Sequence, residues 1–459
     1  MRAVYLKMLP VFCIAALIVS PHVILAQESQ HGTDQNTTSE QGPQQAKRTL
    51  EDLEQLALKH NPTLAQAADA IQAAKGRKLQ AGLYPNPVVG YDGDEIRPGP
   101  ITRGGEHGFF IQQDIVTGGK LRLSRKAAGE EQAQEEARAE AQRDRVLTSV
   151  RILYYKTLGA QQLLELRQHL AEVAGQAVTT SKQLYNVGQA DEPDVLEAEA
   201  EAGVTQLAVV DAQNNRQRLW QQLAATVGVP DLPLTSLAGN LEHPLPSLSR
   251  DQTLATILAA SPEMKAAEAG LRRAEWALQR SRVAPIPDIQ FRGGMRHNRE
   301  LLESPLGRPF GLEGFAEVGV QIPIFNRNQG NVQSAQAELA SARQEVDRVR
   351  LSLEQRFAPA FQHYSNSLEA AERYQKDILP KAQRAYELYL NKYHEMAAAF
   401  PRVLIAQRTW FQLQEDYIGS LVRLWSAVSE IRGMLLTGGL ETSGPTRQPM
   451  NTGTIDAQF

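Results

Sequence analysis

The side chains with the most chemical potential stand at two matched places in the chain. Asp191, Glu192, Asp194 and Glu197 form an acidic run just after a Tyr185-Asn186-Val187-Gly188 turn. Arg402 lies 208 positions after Asp194, in a segment that repeats the surroundings of that run. A guanidinium and a carboxylate at equivalent positions can make a reversible ion pair. Acidic residues in a first helical turn also favour the helix dipole without any partner. An exposed pair contributes only about 0–1 kcal/mol, so a device built on one needs several copies. His107, His297, His363 and His394 offer metal ligands, but none stands at ligand spacing with carboxylates on one expected face. No nucleophile triad, phosphate loop or paired-acid constellation is present, so the sequence assigns no catalytic, cofactor or metal residues. Trp220 and Trp425 fall at similar places in the two halves and read as packing residues.

The 459 residues carry a net charge of −4, with the charges spread along the chain. A nucleic-acid groove would need a basic stripe, so that class is excluded. Residues 1–26 read as a signal peptide: Arg2 and Lys7 precede an apolar run from Leu9 to Leu25, and Ala26 offers a small residue for cleavage. Cys13, the one cysteine, lies inside it, so the expected mature chain has no disulfide or thiol chemistry. No later stretch reaches the roughly 18 apolar residues of a spanning helix. Any membrane insertion must therefore use strands. Residues 27–49 and 441–459, poor in apolar side chains, read as flexible tails.

The elements that position the acidic run come as a duplication. Asn61-Pro62, Pro85 and Pro87 recur as Ser261-Pro262, Pro285 and Pro287, each 200 positions on. Tyr185, Pro193, Val195, Leu196 and Ala198 recur 208 positions on as Tyr393, Pro401, Val403, Leu404 and Ala406. Two repeats follow, at 50–247 and 248–440, each with short helices, a hairpin, a long helical rod and a return helix. Asn61 and Ser261 are expected N-caps with proline at the first helical position. The rods cover 120–187 and 331–392, and the return helices 193–228 and 401–437. Residues 120–187 contain no proline, and as one helix would span about 100 Å. In the second rod Val332, Ala335, Leu339, Ala342, Val346, Val349 and Leu353 alternate steps of three and four, a coiled-coil seam. Pro359 and Pro380 are expected to break or kink it.

The hairpins are expected at about 86–116 and 286–324. Ala316, Val318, Val320 and Ile322 alternate with Glu317, Gly319 and Gln321, the pattern of a strand with one apolar face. Segments of about 10 residues cross a bilayer when tilted, with the Gly/Pro/Arg-rich stretches 97–105 and 298–311 as loops. Four strands cannot close a barrel, and an open edge in lipid costs several kcal/mol per unpaired group. Membrane strands would have to be shared among chains, twelve strands from three.

Taken in order, these features resemble the TolC-like outer-membrane efflux proteins. The likeness rests on the repeat, on Pro85-Asn86-Pro87 leading into a strand, on Gln321-Ile322-Pro323-Ile324-Phe325 closing one, and on the Tyr185-Asn186-Val187-Gly188 tip ahead of Asp194-Val195-Leu196. Gly118-Gly119-Lys120 after Gln112-Gln113-Asp114 resembles the heavy-metal (cobalt-zinc-cadmium) branch. The resemblance implies a mainly α fold with a β-barrel contribution: a homotrimer whose long antiparallel helices form a periplasmic tube below a shared twelve-stranded barrel in the outer membrane. It implies an exit duct, not an enzyme, with no cofactor, docked on a periplasmic adaptor protein and an inner-membrane pump of the resistance-nodulation-division type. It implies adaptor docking at the tip through Tyr185, Val187, Gly188, Gln189 and Tyr393, with Met396 in the second tip departing from the glycine of the first. It also implies a polar gate near the inner end, here assigned to Arg402 pairing with Asp194 or Glu197. The competing reading is a soluble periplasmic coiled-coil adaptor or scaffold, which predicts no membrane strands.

Overall fold

The computed structural model describes residues 47–96, 105–242, 244–301, 309–395 and 400–441. The signal segment, most of the N-terminal and C-terminal tails, residues 97–104 and 302–308 of the hairpin-loop stretches, and Met396 lie outside the described residues.

Helix α1 (Leu50–His60) opens with a capping box: Thr49 Oγ1 accepts the Asp52 amide at 3.2 Å while Asp52 Oδ2 accepts the Thr49 amide at 3.0 Å. Helix α2 (Pro62–Gln80) starts at Asn61, whose Oδ1 accepts the Thr63 amide at 2.9 Å. Ser261 does the same for α6 (Pro262–Val283), which follows α5 (Arg250–Ala260); its Oγ accepts the Glu263 amide at 3.3 Å. In both cases proline fills a first-turn site whose N–H would have no helical acceptor.

Helix α3 (Lys120–Asn186) runs 67 residues without a break, about 100 Å of rod. It reverses into α4 (Glu192–Val227), which lies along it. In the second half the rod is divided into α7 (Gln329–Arg373), a π-helical turn at Tyr374–Ile378, and α8 (Leu379–His394). The return helix α9 spans Phe400–Arg432.

The two prolines of this rod act differently. Pro359 sits inside α7 without ending it. Its neighbours Phe357 and Ala360 are buried, and that packing offsets the roughly 3 kcal/mol a mid-helix proline costs. Pro380 does alter the rod. It can give no N–H to the turn below, and the ladder there shifts so that the Leu379 amide donates to Tyr374 O, the i to i−5 spacing of a π-turn.

The core lies where the helices overlap. Leu53 and Ala57 of α1, Val146 and Val150 of α3, Leu223 and Val227 of α4, Leu353 and Phe357 of α7, and Leu421 and Leu424 of α9 form one cluster. Trp220 and Trp425 clamp the segment after α4: their indole N–H groups donate to Leu232 O at 2.9 Å and Leu241 O at 2.8 Å.

The strands β1 (Val88–Asp94), β2 (Glu106–Ile115), β3 (Ile289–Leu301) and β4 (Pro309–Val320) form one antiparallel sheet in sequence order. β2 and β3 come from different repeats, with Ile115 opposite Ile289 and Glu106 opposite Asn298. Neither β1 nor β4 has a second neighbour among the described residues.

The joint between repeats is pinned where strands turn into helices. Asp288 Oδ1 accepts the Thr117 amide at 2.8 Å and pairs with Lys120 Nζ at 2.9 Å. Lys120 is buried, and Thr117 Oγ1 donates to Pro287 O. Gly119, at φ +67°, turns the chain into α3 in a conformation that side chains resist. Asp288→Ala strands the Lys120 charge. A buried ion left alone costs about 3–5 kcal/mol; Asp288 is partly exposed, so about 2 kcal/mol is expected here. A lowered melting temperature, partly restored by adding Lys120→Met, checks it.

Candidate functional site

Two regions have the geometry to do something: the far end of the helices and one face of the sheet. At the helix end α3 closes in a Schellman motif. The Gly188 amide donates to Tyr185 O at 3.0 Å and the Gln189 amide to Leu184 O at 2.8 Å, with Gly188 at φ +72°. This turn presents Tyr185, Val187, Gly188 and Gln189 to solvent. Val187 is 68% exposed, more than a lone cap requires. Tyr393 is half-buried near the end of α8.

Helix α4 opens on a second capping box, in which Asp194 Oδ2 accepts the Asp191 amide at 3.3 Å. Asp194 is thus half-buried and already engaged, whereas Glu197 and Arg402 are exposed. Among the described residues no ion pair joins Arg402 to Asp194 or Glu197 within one chain. The interhelical ties lie further along the rods. Arg408 of α9 grips Glu201 of α4 with two nitrogens, its Nε at 2.9 Å from Oε1. Arg167 of α3 reaches Glu415 of α9 at 2.9 Å and Asp211 of α4 at 3.4 Å. The hydrogen bond to Glu201, with the fields of Glu201 and Glu197, raises the Arg408 pKa above its ordinary value. Sequence reasoning missed this pair although the signal was there: Arg408 and Glu201 lie within one residue of matched repeat positions at the 208-residue displacement.

The sheet gathers its charged side chains on one side, while the other is mainly apolar and also holds Gln113, His107 and His297. One face carries Val89, Tyr91, Phe109, Ile111, Ile115, Ile289, Phe291, Met295, Leu312, Val318 and Val320. Phe109, Leu312 and Val318 stand 70, 71 and 66% exposed, so nothing among the described residues covers this face. The other face carries Asp92, Asp94, Glu106, Asp114, Glu313 and Glu317 with Arg292 and Arg296. Arg292 pairs with Asp92 at 3.1 Å and Glu317 at 3.9 Å, and its guanidinium lies 4.3 Å over the Phe110 ring. Arg296 pairs with Glu106 and lies 5.0 Å over Phe315. Gly90 and Gly294 make room for these rings: a Cβ at Gly90 would meet Phe110 at 2.5 Å, and one at Gly294 would meet Phe315 at 2.9 Å. Cross-strand register also sets His107 opposite His297, with the Tyr91 hydroxyl 2.5 Å from His107 Nδ1. Sequence spacing could not reveal that juxtaposition of the two repeats. Among the described residues no three metal-ligating side chains converge, and no helix is long and apolar enough to cross a membrane.

A bare apolar face, a charged face behind it and helices of about 100 Å on one side is the plan of a barrel wall on a tube. The sequence profile of the outer membrane efflux protein family matches residues 53–229 and again 253–435. The chain belongs to that family. The cobalt-zinc-cadmium resistance protein CzcC of Cupriavidus metallidurans is 26% identical over 387 residues, 84% of this chain and 90% of that protein. The toluene efflux pump outer membrane protein TtgF of Pseudomonas putida is 26% identical over 409 residues, 83% and 82% of the two chains. The crystal structure of the outer membrane protein VceC from Vibrio cholerae superposes with a TM-score of 0.68 at 20% identity, covering 85% of this chain and 97% of that one. As an outer membrane efflux protein, the chain serves transport. Its fold is the TolC-like one, a helical barrel carrying β-barrel strands in the outer membrane. The soluble adaptor reading, which required no membrane strands, is set aside by the family match and the uncovered apolar face.

Proposed function

We propose that three copies of this outer membrane efflux protein close one duct, with the twelve strands as its pore in the outer membrane and the helices as its periplasmic wall. The carrying observation is the four-stranded sheet that, among the described residues, has two free edges and one bare apolar face. An open edge cannot be left in lipid, and a bare apolar face cannot be left in water, so a single chain is at home in neither. Closure in threes satisfies both. The duct takes cargo from an inner-membrane pump of the resistance-nodulation-division type through a periplasmic adaptor, and catalyses no reaction. The exposed tip residues Tyr185, Val187, Gly188 and Gln189, with Tyr393, form the adaptor dock.

The gate reading places Arg402 of one chain against Asp194 or Glu197 of the next around a narrow threefold mouth. The exposure of Arg402 and Glu197 supports a contact made between chains. Arg402→Ala is then expected to raise the single-channel conductance of the purified trimer. Unchanged conductance counts against this gate and leaves the duct intact.

For cargo, we propose divalent transition-metal cations. The name of the relative CzcC and the acid-rich inner wall of the sheet support it. The deciding experiment removes the gene and challenges cells separately with cobalt, zinc, cadmium and toluene. Metal sensitivity rescued by the chain supports the reading, and toluene sensitivity alone overturns it. Adaptor capture by the wild type that is lost in Gly188→Val, where φ +72° forbids a branched side chain, tests the dock in the same cells.

A further inference from the structure

The two repeats give more than a count of strands; they fix how neighbouring chains meet. Hairpin β1–β2 is laid on hairpin β3–β4 by moving the first strand 200 positions and the second 209: Val89 opposite Ile111 becomes Ile289 opposite Val320, and Asp94 opposite Glu106 becomes Gly294 opposite Phe315. The helix starts obey the same step, since the left-handed N-cap Gly119 of α3 corresponds to the left-handed N-cap Asn328 of α7. One hairpin-to-hairpin contact is therefore visible within the chain, β2 on β3. The missing one, β4 on the β1 of a neighbour, is its repeat equivalent.

Resting on the trimeric reading above, we infer that β4 pairs antiparallel with the β1 of the next chain in the register carried over from β2–β3. That register sets Val320 opposite the neighbour's Gly93, Gln321 opposite its Asp92, and Ile322 opposite its Tyr91. It derives from Ile111 opposite Gly293, Gln112 opposite Arg292 and Gln113 opposite Phe291. Three observations converge on it. First, the faces agree: Val320 and Ile322 continue the apolar side of β4, and Tyr91 lies on the apolar side of β1. A slip of one residue would turn the neighbour's charged side chains into lipid. Second, Ile322 is 72% exposed although it lies just past the end of β4, so the single chain leaves it without cover. Third, strand number, tilt and stagger are coupled in a barrel. Six hairpins close evenly when the three steps between chains equal the three steps within them.

The ladder ends at Pro323, which has no N–H to give. There the Ile324 amide turns back onto Ile322 O at 3.0 Å. The seam also differs from its template in how it is fastened. Within the chain the buried Lys120 makes an ion pair with the partly exposed Asp288 beside the ladder. Their repeat equivalents are Gln329 and Val88, which cannot. The contact between chains thus rests on the ladder and on apolar packing of Ile322 against Tyr91, without an ionic lock.

Cysteine pairs read the register directly, because Cys13 is the only native cysteine and single-cysteine variants control for it. Directly opposed positions come within disulfide reach. Both faces are sampled because opposed pairs alternate between close and wide spacing. Full-length protein carrying Ile322→Cys with Tyr91→Cys, or Gln321→Cys with Asp92→Cys, is oxidised in membranes and run on a non-reducing gel. A covalent trimer from at least one of these pairs is expected, with none from the two-residue slips Val320→Cys with Tyr91→Cys and Gln321→Cys with Gly90→Cys. Cross-linking confined to the slipped pairs, or absent from all four in a particle whose detergent-corrected mass is that of a trimer, overturns the register. A particle that is not a trimer overturns the duct reading itself.

Discussion

Replacing Arg408 by alanine is expected to raise the open probability of the reconstituted trimer by roughly 30-fold. Arg408 ties α9 to α4 through a two-nitrogen grip on Glu201. Its side chain is half exposed while that of Glu201 is 14% exposed, so water reaches one partner and not the other. A tie of this kind contributes about 0.5–1 kcal/mol. Three copies acting on one mouth sum to about 2 kcal/mol, close to a 30-fold change in a two-state equilibrium. The effect requires that opening separates α9 from α4. Arg408→Lys keeps the charge but not the fork and should fall between. Glu201→Gln should match Arg408→Ala. High salt should mimic both in the wild type and do little in Arg408→Ala or Glu201→Gln, since screening acts only on an intact pair. Bilayer recordings of these proteins at low and high salt decide it. Equal open probabilities throughout would mean that α4 and α9 move as one body, leaving Arg402 as the gating cation.

Much of this architecture was legible because it depends on local periodicity. Ala316, Val318 and Val320 alternate with polar neighbours, and they lie on one strand with one apolar face. The unbroken helix formers after Lys120 make an unbroken helix. Gly188 ends α3 at φ +72°, a conformation that glycine adopts more readily than other residues. What escaped depends on register between distant segments. Nothing local places Arg292 beside Asp92, 200 residues away, or His297 beside His107. Pro359 misled because propensity is a local cost, whereas the packing of Phe357 and Ala360 that outweighs it is tertiary. The Arg408–Glu201 tie needed the repeat displacement to be applied one and a half helical turns further along than the acidic run that drew attention first.

The inner wall of the sheet leads to the second large effect. On the charged face each chain presents six carboxylates against Arg292 and Arg296 among the described residues. The excess is four negative charges per chain and twelve in a trimer. The wild-type barrel is therefore expected to favour cations. Arg292 holds that excess down: it lies between Asp92 and Glu317, offsetting one of their two charges, while its guanidinium lies over Phe110. Arg292→Gln removes one positive charge per chain and frees both carboxylates, so the reversal potential under a salt gradient should move further toward the cation limit. Ionic strength separates this from a change of pore width. The Debye length is about 30 Å at 0.01 M, enough for wall charges to control the whole lumen, and about 3 Å at 1 M, where they control only their own surface. The difference between Arg292→Gln and wild type should thus be large in dilute salt and nearly vanish at 1 M, whereas a widened pore would differ at both. Asp114→Asn moves the balance the other way and should reduce cation preference. A variant pair that shifts the reversal potential in the same direction, or shifts it equally at both salt concentrations, would show that selectivity is set at the helical end, near Glu197 and Arg402, and that the barrel is a passive outlet.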